Sequence, residues 1–153
     1  MKYAMIPLML FAVAACSDAS GPSLSATAGT YAAVQDADRD VGGLVFRTTT
    51  DGAETDWLER GATIDVVLRS DGTTEGRLFI PDIDVETGEP QPGTDFDESL
   101  AGSWTISGNR VSLDHAADTF LRDMDFIVNG STLTGTATFD GVEIQVVLQR
   151  LAD

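Results

Sequence analysis

Residues 123–150 read DMDFIVNGSTLTGTATFDGVEIQVVLQR, and the fold is decided there. Met124, Phe126 and Val128 alternate with Asp123, Asp125 and Ile127. Asn129-Gly130 then interrupts the run. Leu133, Gly135, Ala137 and Phe139 alternate with four threonines as far as Asp140-Gly141. Val142, Ile144, Val146 and Leu148 alternate with Glu143, Gln145, Val147 and Gln149. A period of two places alternate side chains on opposite faces, and Asn-Gly and Asp-Gly pairs fit two-residue hairpin turns. The stretch therefore predicts a three-stranded antiparallel meander over 123–128, 131–139 and 142–150.

The same grammar extends upstream. Ile64, Val66 and Leu68 alternate with Thr63, Asp65 and Val67, and Asp71-Gly72 turns the chain into a run that carries Leu78 and Ile80. Val111 and Leu113 follow the turn at Gly108-Asn109. Further strands are predicted over 29–35, 43–49, 62–70, 73–81, 102–107 and 110–114. No amphipathic helix is evident, although Asp118 to Arg122 suits a single turn. Each strand has one apolar face, so the sheet must close or pack on itself. The expectation is an all-β fold, a small antiparallel up-and-down barrel of about eight strands, with a sandwich as the alternative.

The chain has 153 residues, 25 Asp and Glu against 9 Lys and Arg, and a formal charge of −16. That length suits one domain with a real core. The acidic balance excludes a nucleic-acid partner, because no basic face exists to displace counterions from phosphates. One cysteine excludes an internal disulfide, and one histidine excludes a multi-histidine metal site. No nucleophile elbow, phosphate loop or dinucleotide motif appears, so no enzyme activity, catalytic residue or cofactor is expected.

The first residues read as an address. Lys2 precedes an apolar run from Ala4 to Ala15, shorter than the roughly 20 residues needed to span a bilayer. The run reads as the apolar part of a signal peptide over 1–15. Val13-Ala14-Ala15-Cys16 resembles the bacterial lipobox. The resemblance implies cleavage before Cys16 and lipid attachment to its sulfur, which anchors the protein to a membrane. The alternative is an ordinary secretory signal. Ser17 rather than Asp follows the cysteine, which favours the periplasmic face of the outer membrane in a Gram-negative host. Removing 1–15 also removes the sole lysine, Lys2, so lysine-based chemistry is excluded. Residues 16–28 are small and polar around Gly21-Pro22 and read as the lipidated cysteine and a flexible linker. The domain is expected over 29–153.

Beyond the lipobox, short signatures accumulate: Gly29-Thr30-Tyr31, Asp71-Gly72-Thr73, Gly102-Ser103-Trp104, and a last strand ending in Val147-Leu148-Gln149-Arg150. Together they resemble the small bacterial lipoproteins with a lipocalin-like domain. True lipocalins carry Gly-x-Trp on the first strand, with a late Arg packed over the ring. Here the first strand has Tyr31 and the Gly-x-Trp lies mid-chain. The resemblance implies that Arg150 lies over Tyr31 or Trp104 as a cation–π closure of one barrel end. It also implies a small apolar ligand inside the barrel, with Val66, Leu68, Trp104, Phe126, Ala137, Phe139 and Val146 as inward candidates. Those side chains read equally well as plain core.

Other candidates have bland alternatives. The acidic segment 82–98 suits calcium or a solvated loop, and Asp36-x-Asp38-x-Asp40 begins like an EF-hand but continues wrongly at Val41 and Arg47. Ser112, Asp114 and His115 lie along one strand rather than converging as a triad, and His115 reads as a surface turn residue. Trp57 suits a cap on the barrel mouth, a partner contact or, equally, a core residue at a strand end. Three roles are open: a membrane-anchored carrier of a small apolar ligand, an acidic module that engages a basic protein in the cell envelope, and a structural envelope component with a filled barrel.

Overall fold

The computed structural model describes residues 21–34, 43–82, 91, 93 and 95–152. A short helix, α1 (Leu24–Thr27), precedes eleven strands. They are β1 (Gly29–Ala33), β2 (Leu44–Thr48), β3 (Glu54–Asp56), β4 (Thr63–Leu68), β5 (Thr73–Ile80) and β6 (Phe96–Ser99). Then follow β7 (Gly102–Ser107), β8 (Arg110–His115), β9 (Asp125–Asn129), β10 (Thr132–Phe139) and β11 (Val142–Arg150). Every pairing is antiparallel, and the sheet closes where Tyr31 of β1 meets Arg150 of β11.

The ladders reduce these strands to a closed barrel of 8 staves in chain order. β1 pairs with Leu148–Arg150 and β2 with Val142–Val146, so both lie along β11 as one interrupted stave. β3 pairs with β2 and β4 with β1, which makes the second stave. β6 and β7 lie in succession along β5 and make the fourth. The barrel expected from the alternation is the one found. Two strands were missed, because Glu54–Asp56 and Phe96–Ser99 are short, charged and half-exposed, with no apolar face to announce them.

Inward residues are the apolar ones. Ile64, Val66 and Leu68 are buried while Thr63 and Asp65 are exposed, and Val111, Leu113 and His115 alternate with exposed Asp114. Burying each aliphatic side chain stabilises the fold by about 1.5–3 kcal/mol, which is what fixes the register of the strands. Gly76 bends β5. Its φ is 143°, and a Cβ there would run into the Asp65 carbonyl. At that bend the Gly76 carbonyl accepts from Leu100 N at 3.0 Å, and Thr74 Oγ1 donates to the Leu100 carbonyl at 2.7 Å. The break between β6 and β7 is thus satisfied on both sides.

The linker expected over 16–28 does not remain free to its end. Ser23 caps α1 by accepting from Ala26 N, and Thr27 is buried against the barrel. The sequence signal was a Ser N-cap before a four-residue turn, too short to show a helical period. Cys16 and the signal segment lie outside the described residues.

Candidate functional site

The barrel has two ends. Turns 69–72, 107–110 and 129–132 lie at one end, with α1 and the last residues of β11. Segments 49–53, 57–62, 116–124 and 140–141 lie at the other.

At the α1 end, Tyr31 Oη donates to the Thr27 carbonyl at 2.7 Å. Arg150 Nη1 and Nη2 donate to the carbonyls of Ala26 and Ala28 at 3.1 and 2.5 Å. The cation–π closure that the resemblance implied for Arg150 is not what forms, although Arg150 does bind at this end. It holds the orphan carbonyls around a helix C-terminus rather than lying over Tyr31 or Trp104. Burial raises the pKa of the Tyr31 phenol, and the Arg150 charge opposes that shift. Trp104 Nε1 donates to the Arg69 carbonyl at 2.8 Å, which ties the central Trp to the β4–β5 turn.

At the opposite end, segment 116–124 folds over the mouth. Leu121 and Met124 are buried within the core. Phe120 stands edge-on to Phe46 with ring centroids 5.7 Å apart, and Trp57 tilts against Phe46 at 5.6 Å. Trp57 thus caps the mouth, with the Arg60 guanidinium 5.9 Å from its ring centre. Its Nε1 is buried without a hydrogen-bond partner.

His115 corrects the sequence reading. It is 4% exposed and points inward at the end of β8. Its Nε2 meets Thr119 Oγ1 at 2.8 Å, and Nδ1 has no partner. Burial lowers its pKa, assisted by the Arg122 charge and opposed by Asp114 and Asp123. Strand alternation alone places His115 beside Leu113 and Val111; the hidden element was the loop that covers it. Ser112 Oγ donates to Asp125, away from His115, so no triad forms.

The seven inward candidates fall into two groups. Val66, Leu68, Trp104, Phe126 and Val146 are each at most 2% exposed and belong to one contiguous core that also contains Tyr31, Leu44, Leu78 and Leu148. Ala137 and Phe139 are half-buried and pack against that core. Gly135, without a side chain on the inward face, leaves space inside the barrel. Met124 takes that room, because a Cβ on Gly135 would overlap its thioether. Ala137 alone of the seven reaches an open groove of about 480 Å³. The groove forms where the ladder of β9 with β10 stops at Phe126 and Gly135 while β10 continues to Phe139. Met124 lines it too, with Arg110, Asp123, Asp125, Ile127, Thr134 and Thr136.

The arginines are mostly engaged along the outer wall. Arg77 holds Asp97 through two bonds of 2.6 Å and lowers its pKa. Ser112 and Arg110 do the same for Asp125. Asp95 accepts from the backbone N–H of Asp82 at 3.0 Å, which bridges the base of the acidic segment. The rest of that segment, 83–90 with 92 and 94, lies outside the described residues, as do Asp36, Asp38 and Asp40. Among the described residues no three His, Cys, Asp or Glu side chains converge on a metal site. No described helix is long and apolar enough to cross a membrane. No family model, curated protein or solved structure matches the chain.

Proposed function

We propose that this chain is a lipid-anchored protein of the bacterial cell envelope, of the lipocalin-like lipoprotein type, whose barrel acts through its outer surface on a cationic partner. The lipobox-like Val13-Ala14-Ala15-Cys16 supports the anchor. The observation that carries the outer-surface reading is the occupied interior. Five of the seven side chains expected to line a ligand cavity are fully buried against one another, and Met124 fills the space beside Gly135. A carrier needs an enclosed apolar pocket of a few hundred Å³. Here that space holds Tyr31, Trp104 and Phe126.

Recognition then falls to the wall and the ends. A formal charge of −16 gives a long-range field that steers a basic protein and repels anionic ones. No catalytic role or cofactor is part of this reading. The test is capture of envelope proteins from the host on the immobilised barrel at low and high salt. The expected result is a basic protein released by salt and lost when surface acids are neutralised. Recovery of a small apolar molecule by organic extraction, with no salt-released protein, overturns the reading in favour of a carrier.

A further inference from the structure

The described chain begins at the α1 end of the barrel, and it begins tightly held. Gly21 packs on the β7–β8 turn, where a Cβ would sit 2.6 Å from the Gly108 carbonyl oxygen. Ser23 caps α1, and Tyr31 and Arg150 bind the carbonyls of Ala26, Thr27 and Ala28. Only residues 17–20 separate Gly21 from Cys16. Five Cα steps reach at most about 18 Å even when fully extended.

The two ends also differ in charge. Among the described residues, the turns and termini at the α1 end carry Arg69, Arg110 and Arg150 with one acid, Asp71. Arg69 is paired with Glu75 and Arg110 with Asp125, so this end is close to neutral. The opposite end presents Asp51, Glu59, Asp82, Asp95, Asp118, Asp123 and Asp140 in its connections, against Arg60 and Arg122. Leu24 and Leu151, exposed by 37% and 41%, both stand at the α1 end.

We propose that the barrel stands end-on at the bilayer, with α1 and the β7–β8 turn against the lipid headgroups and the acidic, aromatic-capped mouth turned away. This rests on the lipid-anchor reading of Cys16. A short leash prevents the domain from tumbling freely. An anionic leaflet repels the acidic end, and a near-neutral end with two exposed leucines meets the interface without that penalty. The orientation presents the mouth to partners at a distance from the membrane. A nine-residue stave tilted as barrel strands are separates the two ends by about 20 Å, well beyond a Debye length of about 8 Å.

The test uses the full lipidated chain in vesicles of phosphatidylethanolamine and phosphatidylglycerol containing a headgroup-nitroxide lipid. Ser70→Cys and Thr50→Cys, both at exposed turn positions on opposite ends, each carry one fluorophore. The expected result is several-fold stronger quenching at position 70 than at position 50. Equal quenching, or stronger quenching at position 50, overturns the orientation while leaving the anchor intact. Vesicle flotation is read on the same samples. If the chain does not float with the vesicles, the lipid-anchor reading fails and the orientation fails with it.

Discussion

The guanidinium of Arg150 fills the space beside Gly29 that a Cβ would occupy, its Nε 2.6 Å from that position. From there it reaches the carbonyls of Ala26 and Ala28. The last strand therefore locks the entry segment onto the barrel end, and a residue without a side chain at the start of β1 makes this fit.

Two substitutions probe the lock. Arg150→Ala removes both charge-assisted bonds and leaves carbonyls partly buried, a loss of about 1–3 kcal/mol. Gly29→Ala displaces the guanidinium from the same carbonyls, and the double variant loses less than the sum of the two. Urea unfolding with an unchanged m-value checks both. An Arg150→Ala midpoint equal to that of the parent contradicts the closure.

The filled interior predicts coupling between Gly135 and Met124. Gly135→Ala forces the thioether to move, and overpacking of this kind costs about 1–3 kcal/mol. In a Met124→Ala background the same change costs distinctly less, because the clashing atoms are gone. A double-mutant cycle by chemical denaturation with no coupling shows that Met124 does not occupy that space.

His115 gives the fold a pH dependence with a defined sign. Its folded pKa is lowered by burial, so the unfolded chain takes up a proton first, near its ordinary value of about 6.5. Stability contributed by the neutral ring is present above that pH. It falls as pH drops below it, and the loss levels off once the folded form also protonates. Thermal melts between neutral and mildly acidic pH show the decline in the parent. They show a flatter profile in His115→Gln, which keeps a polar partner for Thr119. Identical profiles contradict the assignment. Further loss at lower pH is expected as Asp97 and Asp125, whose pKa values are lowered, lose their arginine partners.

The anchor makes a cellular prediction. Cys16→Ser transfers the protein from the membrane fraction to the soluble fraction. Unchanged fractionation rejects lipidation at that residue.

Nine of the strands were legible in the sequence, most plainly those whose inward residues, from Ile64 and Val66 to Val146 and Leu148, alternate at a period of two. The hairpin turns were legible too: Asp140 and Gly141 both adopt positive φ, 47° and 81°, as a two-residue turn between twisted strands requires. The interruptions were not. The passage from β1 to β2, the excursion at 57–62 between β3 and β4, and the break at Leu100 depend on which strand lies alongside, a non-local fact. The site was less legible still. Trp104, Phe126 and Met124 read as inward from local pattern, but whether inward means core or cavity also depends on Leu121, which folds in from a segment with no period. The same segment buries His115.

Native mass spectrometry of residues 17–153, purified without detergent from the host envelope, tests the filled-barrel claim most directly. The account predicts the bare polypeptide mass, with nothing recovered by organic extraction. A reproducible apolar adduct that survives purification and extracts into organic solvent contradicts it, and returns the interior to the role of a binding cavity.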